Sequence, residues 1–176
     1  GGANLYPNLD GELTLVGILA LGFNTRPGAH ELIQDCRQAG IKVVLLSGDD
    51  ATAVKDAGKA TGFFQEGDEV IEGYNYRSSE NQEEKQEPEW FSRASPAFSG
   101  LQSSQKSSVV EALQEAGHRV AYVGSTTSDA LALKKADVGI AMNSAPPLAK
   151  QQANILLEVD NLKVLSSGLA DGRLVY

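Results

Sequence analysis

The residues of this sequence that could do chemistry begin with a short polar turn. Ser47, Gly48 and Asp49 follow the apolar run 41–46 and precede a segment with helical periodicity. A hydroxyl group and backbone amides at the start of a helix form a natural cradle for phosphate. The simpler interpretation is that Ser47 or Asp49 only caps the helix. Both interpretations stay open on spacing alone.

Lys106 and a second polar turn are the other candidates. Lys106 begins a helical pattern after a long polar stretch, where a lysine either neutralises a phosphate or is simply solvated. The turn 125–129 reads Ser-Thr-Thr-Ser-Asp and follows the apolar run 120–123. Asp129 either caps the next helix or points into a site. Ser125, directly after Gly124, is neutral where phosphate chemistry would favour a carboxylate.

Strand and helix patterns alternate along the chain and would position these turns. Predicted strands cover 13–21, 41–46, 120–123, 138–142 and 155–157, and helical patterns separate them. This order predicts an α/β fold: a doubly wound, Rossmann-like parallel sheet with helices on both faces. Ligands of such sheets bind at the carboxyl ends of the strands. The turns after Leu21, Leu46 and Val123 are therefore the expected site.

One segment, 65–105, departs from this alternation. It is rich in Glu, Gln, Ser and Gly, and SSENQEEKQEPE is its most polar part. We interpret it as a polar, partly flexible excursion, most simply a solvated loop. We expect residues 1–176 to form a single domain that contains this excursion.

Composition excludes several classes of function. The 176 residues carry a net charge of −8, which argues against nucleic-acid or anionic-membrane binding. The single cysteine, Cys36, excludes an internal disulfide and a cysteine metal cluster. His30 and His118 lie far apart and match no metal-ligand spacing. No apolar run reaches the roughly 18–20 residues of a membrane span, so we expect a cytoplasmic chain.

Four stretches of the sequence resemble the motif blocks of one protein family. SGDDATAVKDAGKATGF resembles the TGDN block, and SDALALKKADVGIAM resembles NDxPALKxADVGIAM. LALGFNTRPG resembles the block that contains DPxR, and ANILLEVDNLKVL resembles DIxxLDDNFxxI. Taken together, these stretches resemble P-type ATPases of the haloacid dehalogenase-like superfamily, and among them most of all calcium pumps. The resemblance implies the C-terminal part of a phosphorylation domain, after the nucleotide domain and before membrane helices. It also implies Mg²⁺ and ATP as cofactors.

Some family site residues are retained. By resemblance, Ser47, Gly48 and Asp49 match the phosphate-binding TGD, and Lys106 matches the phosphate lysine. Two more residues match: Asp129, with the Asp of ND, and Arg26, with the Arg of DPxR.

Other site residues are lost. No DKTG motif occurs, so the nucleophilic aspartate is absent, and no catalytic set is intact. Ser125 replaces the magnesium-binding Asp, while Phe23 and Asn24 replace the Asp-Pro of DPxR. Thr126 replaces a glycine and Ser128 an asparagine. We therefore assign none of these residues as a metal ligand.

These departures lead to a hypothesis and its alternatives. The first is a pseudoenzyme: a phosphorylation-domain-like module that regulates or binds another protein, or the remaining domains of a membrane pump. The second is a functional domain of an ATP-driven calcium pump whose nucleophile lies outside this chain. A free-standing phosphatase and a purely structural domain are further alternatives. The expected partner is a protein, not a nucleic acid.

Overall fold

The computed structural model describes residues 25–65, 67–73 and 88–174. The helices are α1 (Ala29–Gln38), α2 (Ala51–Ala60), α3 (Ser103–Glu115), α4 (Ala130–Lys135), α5 (Pro147–Gln152) and α6 (Lys163–Leu174). The strands are β1 (Leu45–Leu46), β2 (Val70–Glu72), β3 (Ala97–Ser99), β4 (Ala121–Gly124), β5 (Val138–Ala141) and β6 (Ile155–Leu156). Two 3₁₀ turns, Glu89–Ser92 and Thr127–Asp129, complete the regular elements of these residues.

The strands form two parallel three-stranded sheets in the part of the chain described here. The first has the order β1-β3-β2 and the second the order β4-β5-β6. Leu46 pairs with Phe98 in the first sheet, and Val123 pairs with Ile140 in the second. Parallel strands joined through helices confirm the predicted α/β class. The strand predicted over 13–21, and with it the turn after Leu21, lies outside the described residues.

A buried cluster holds the second sheet against its helices. It contains Val110 of α3, Tyr122 of β4, Leu133 of α4 and Ala149 of α5. Leu46 of β1 packs against the same cluster, which brings the end of the first sheet next to the second. The carboxyl ends of β1 and β4 are thus held by one core.

The buried central strand of the first sheet corrects the prediction for 65–105. Ala97 and Phe98 of β3 are fully buried, and β3 is the central strand between β1 and β2. Trp90 contacts Phe98 edge to face, with ring centroids 5.0 Å apart. The expectation of a polar excursion was therefore wrong for these residues. The composition of the whole polar segment conceals a strand of only three residues. Residues 74–87 of this segment lie outside the described part of the chain.

The first predicted strand within the described residues is shorter than expected. Residues 41–46 were predicted to be a strand, but β1 includes only Leu45 and Leu46. Its pairing with β3 includes only two residue pairs, Leu45 with Ala97 and Leu46 with Phe98. Ile41 is 40% exposed and precedes the paired stretch. The strands predicted over 120–123, 138–142 and 155–157 each end within one residue of the observed β4, β5 and β6.

Helix α2 begins at a residue that sequence reasoning did not single out. The Asp50 carboxylate accepts hydrogen bonds from the amides of Thr52 at 2.8 Å and Ala53 at 3.0 Å. Asp50 is therefore the cap of this helix, and neither Ser47 nor Asp49 has that role. Among residues 25–65, 67–73 and 88–174, no helix has the length and hydropathy needed to cross a membrane.

Candidate functional site

The predicted site residues lie at the carboxyl ends of β1 and β4, and both ends are hydrogen-bonded to the segment that begins α3. Lys106 lies in the first turn of α3, and the 125–129 loop follows β4 directly. The Ser103 hydroxyl donates to the carbonyl oxygen of Ser128 at 2.8 Å, so α3 is bonded to the loop. A capping box between Gln102 and Gln105 fixes the start of α3. The helix start thereby fixes the position of Lys106.

Lys106 and Asp129 form a buried ion pair. Lys106 Nζ lies 2.8 Å from Asp129 Oδ1, and the two side chains are 5% and 8% exposed. Burial raises the pKa of Asp129. The Lys106 hydrogen bond and the amides of Ser125 and Thr126 lower this pKa by more than burial raises it, so it lies below its usual range. A buried lysine is tolerated only when it is paired. Lys106 therefore acts first as the partner of Asp129.

Four more hydrogen bonds reach the Asp129 carboxylate. The Tyr122 hydroxyl donates to Oδ1 at 2.9 Å. Oδ2 accepts from the amides of Ser125 and Thr126 and from the Thr126 hydroxyl, each at 2.9 Å. With the Lys106 ammonium group, five donors surround a carboxylate that has about four lone-pair positions. The acceptor capacity of Asp129 is filled within the protein.

Tyr122 is fixed as a donor by its surroundings. Burial, the charge of Asp129 and the hydrogen bond to it raise the pKa of Tyr122 well above its ordinary value. The phenol therefore keeps its proton at every physiological pH. Sequence reasoning did not identify Tyr122. The alternation of exposed and buried residues along β4 is the signal that marks its side chain as buried.

These residues do not fit the magnesium ion that the resemblance implies. Mg²⁺ requires octahedral oxygen ligands and is bound in proteins mainly through carboxylates. Ser125 offers a neutral hydroxyl, and the lone pairs of Asp129 are already used. Across 25–65, 67–73 and 88–174, no three acidic, histidine or cysteine side chains gather as a metal site.

Ser47, Gly48 and Asp49 form a separate small turn after β1. The Ser47 hydroxyl donates to Asp49 Oδ2 at 2.8 Å, and the Asp49 amide donates back to Ser47 Oγ at 3.1 Å. The carbonyl oxygens of Ser47 and Asp49 accept from the amides of Leu101 and Gly100. Through this segment the turn is connected to the start of α3. Both predicted turns are therefore connected to the segment that begins α3.

Arg26 lies elsewhere, near the start of α6. Its guanidinium NH1 is 3.4 Å from Ser144 Oγ and 3.6 Å from Asp160 Oδ1. The Ser144 amide and hydroxyl both donate to Asp160 at 3.0 Å. The Ser144 amide is the main cause that lowers the pKa of Asp160. Phe23 and Asn24, the other residues of the DPxR-like motif, lie outside the described residues.

One protein family matches most of this sequence. A family model described as haloacid dehalogenase-like hydrolase matches residues 8–137. This match covers well over half of the chain. It includes the turn after β1, Lys106 and the loop after β4.

Calcium-transporting ATPases are similar along nearly the whole chain. The endoplasmic reticulum calcium ATPase srcA of Aspergillus fumigatus is 34% identical over 97% of this chain. The plasma membrane-type calcium-transporting ATPase 4 of Arabidopsis thaliana is 33% identical over 95%, and the calcium-transporting ATPase of Bacillus subtilis is 31% identical over 94%. The chain spans only 16% to 18% of the length of these relatives.

A solved structure supports the same architecture. The catalytic domain of the CPx-ATPase CopB-B superposes with a TM-score of 0.61 at 24% sequence identity. The superposition covers 82% of this chain and 45% of that domain. At this level of identity the likeness concerns the fold.

Proposed function

Since the chain belongs to the haloacid dehalogenase-like hydrolase family, as a phosphorylation domain of the P-type ATPase kind, we propose that it is a pseudoenzyme. Its function is to regulate or bind a protein rather than to transfer phosphate. The observation that supports this most is the Asp129 carboxylate, which already accepts five hydrogen bonds while the neighbouring metal position is Ser125.

The loss at Ser125 has a large expected cost. Phosphoryl transfer depends on a metal ion that neutralises the charge of the transferring group. Loss of a carboxylate ligand costs at least a few kcal/mol of transition-state stabilisation, or roughly 10²-fold in rate. On this proposal, the other residues that match the family's phosphate site no longer bind phosphate. They are Ser47, Gly48, Asp49 and Lys106. Lys106 is held by a structural ion pair.

The proposed partner is a protein. The chain corresponds to less than a fifth of its relatives, so the partner is either the remaining domains of a longer pump-like protein or a separate chain on the cytoplasmic face. The net charge of −8 and the acidic stretch within 74–87 favour a basic partner surface.

The alternative is a working domain of an ATP-driven calcium pump. The Lys106–Asp129 pair and the Ser47 hydroxyl favour this alternative, because a site without catalytic function would not need to retain them. Its nucleophile would have to lie outside this chain. Another group would also have to replace the metal ligand lost at Ser125.

A magnesium titration followed by backbone amide NMR separates the two. We expect no saturable shift at residues 47–49 or 125–129 at millimolar Mg²⁺. A matched titration with a monovalent salt of equal ionic strength controls for screening. A saturable, localised response to Mg²⁺ alone would contradict the pseudoenzyme. The pump alternative further predicts that the parent protein forms an acid-stable phosphoenzyme from ATP.

A further inference from the structure

A closed ring of hydrogen bonds joins Lys106, Ser128, Thr126 and Asp129. Lys106 Nζ donates to Ser128 Oγ at 3.1 Å, and Ser128 Oγ lies 2.9 Å from Thr126 Oγ1. Thr126 Oγ1 donates to Asp129 Oδ2 at 2.9 Å. The Lys106–Asp129 ion pair, 2.8 Å long, closes the ring.

The proton arrangement in the ring is determined by its ends. The ammonium group can only donate, and the carboxylate can only accept. The Thr126 proton is used on Asp129, so Ser128 must donate its proton to Thr126 and accept from Lys106. All the bonds therefore run in one direction from cation to anion. Chains of this kind polarise and strengthen one another.

Two members of the ring are residues at which the sequence departs from the family pattern. Thr126 stands in place of a glycine, and Ser128 stands in place of an asparagine. A glycine at position 126 would supply no hydroxyl, and Asp129 Oδ2 would keep only its two backbone donors. Tyr122 adds a further hydroxyl, on Oδ1. The departures at positions 126 and 128 therefore share one chemical effect: each adds a hydroxyl group to the hydrogen-bond ring that includes Asp129.

We infer that the hydroxyls of Thr126, Ser128 and Tyr122 form a lock on Asp129 that excludes metal independently of Ser125. The inference rests on the proposed loss of phosphate chemistry and adds a second barrier to it. The lock also explains how a buried carboxylate beside a loop without metal stays fully hydrogen-bonded. Restoring the missing carboxylate at position 125 alone should then give only weak binding of a divalent ion.

The test adds Mn²⁺ to the wild-type chain and to four variants, and measures the broadening of backbone amide signals. The variants are S125D, S125D/T126A, S125D/Y122F and the control S125D/T127A. Thr127 is exposed, adjacent to Thr126, and is not a donor to Asp129. Thr127→Ala therefore removes the same hydroxyl chemistry outside the lock.

We expect S125D/T126A and S125D/Y122F to bind Mn²⁺ about tenfold more tightly than S125D, because each loses one hydrogen bond to a charged group. The control should equal S125D. Equal binding by S125D and S125D/T126A overturns the lock, and so does a complete absence of binding in all variants. Localised broadening in the wild-type chain would instead refute the pseudoenzyme proposal.

A second measurement applies if the added carboxylate prevents folding. In the wild-type background, Thr126→Ala should lower the thermal midpoint by about 2–4 °C, since it breaks the ring. Thr127→Ala should leave the midpoint unchanged. Equal midpoints for the two variants would overturn the inference.

Discussion

A Cβ atom on Gly28 would clash with the backbone nitrogen of Lys163. The start of α1 therefore packs directly against the backbone at the start of α6. Leu162 donates its amide to the carbonyl oxygen of Pro27 at 2.8 Å, which fixes the same contact. Together with the Arg26–Asp160 pair, this contact joins the DPxR-like segment to the last helix of the described chain.

Gly28→Ala should be strongly destabilising. Gly28 has φ of 78°, so alanine costs about 1–2 kcal/mol for the left-handed conformation and must also displace Lys163. Gly40→Ala is the matched control, because Gly40 has φ of 70° but nothing within 4 Å of the position that a methyl group would occupy. Chemical denaturation should show a larger loss for Gly28→Ala. Equal losses would mean that the contact with α6 does not form.

Lys106→Met should cost about 3–5 kcal/mol, because it leaves the buried Asp129 carboxylate without its cation. Lys135→Met removes the exposed partner of Glu111 and should cost less than about 1 kcal/mol. Urea denaturation of both variants measures the difference. Adding Asp129→Asn to Lys106→Met should recover part of the loss. A small effect of Lys106→Met would contradict the buried pair.

The Lys106→Met deficit should also depend on pH. In the wild-type protein the lowered pKa of Asp129 contributes stability above the pKa of the unfolded chain, about 4, and this contribution is lost as the pH falls. Without Lys106, the pKa of Asp129 is lowered less, because the amides of Ser125 and Thr126 remain to oppose burial but the cation does not. The variant should therefore lose less stability than the wild type on acidification, and the two unfolding free energies should converge.

Asp137→Asn should destabilise the protein at neutral pH. The Asp137 carboxylate accepts from the Val120 amide at 2.9 Å, from Gln114 at 3.1 Å and from Arg119 at 2.8 Å. The Val120 amide is the largest cause that lowers the pKa of Asp137. The lowered pKa contributes stability above about pH 4, which disappears on further acidification.

The difference between Asp137→Asn and wild type should therefore be full at pH 7 and shrink below about pH 4. Thermal unfolding across this range measures it. Glu158→Gln, a change at an exposed carboxylate, is the control and should show no such trend. A constant difference at all pH values would contradict the role of the carboxylate charge.

Phe98→Ala tests whether β3 is a core strand. Phe98 is fully buried, and truncation of such a side chain costs about 3–5 kcal/mol. Phe91, which is only partly buried in the preceding 3₁₀ turn, should cost clearly less when changed to alanine. Urea denaturation compares the two. A negligible cost at Phe98 would restore the interpretation of this segment as a solvated excursion.

Much of the fold could be predicted because its signals are local. Apolar runs bounded by glycine and polar turns located β4 and β5 to within one residue. The positions of Lys106 and Asp129 at strand and helix ends followed from the same alternation. The rule that ligands bind at the carboxyl ends of parallel strands selected both turns as candidates, although β1 and β4 lie in different sheets.

The remaining features depend on contacts between distant residues. β3 has three residues in a polar context, so only its pairing with β1 and β2 defines it. In the run Ser47-Gly48-Asp49-Asp50, composition does not tell which carboxylate caps α2. The partner of the Tyr122 hydroxyl depends on where the loop after β4 places Asp129. The hydroxyl ring could not be derived from spacing for the same reason.

The central position of β3 has a consequence for the order in which the protein can fold during synthesis. Among the described residues, β1 and β2 pair only with β3, and β3 is the last of the three to be translated. A nascent chain that ends before residue 97 lacks the strand that joins β1 to β2. The first sheet must therefore wait for the ribosome to pass this point, and a stall before it would leave an aggregation-prone intermediate.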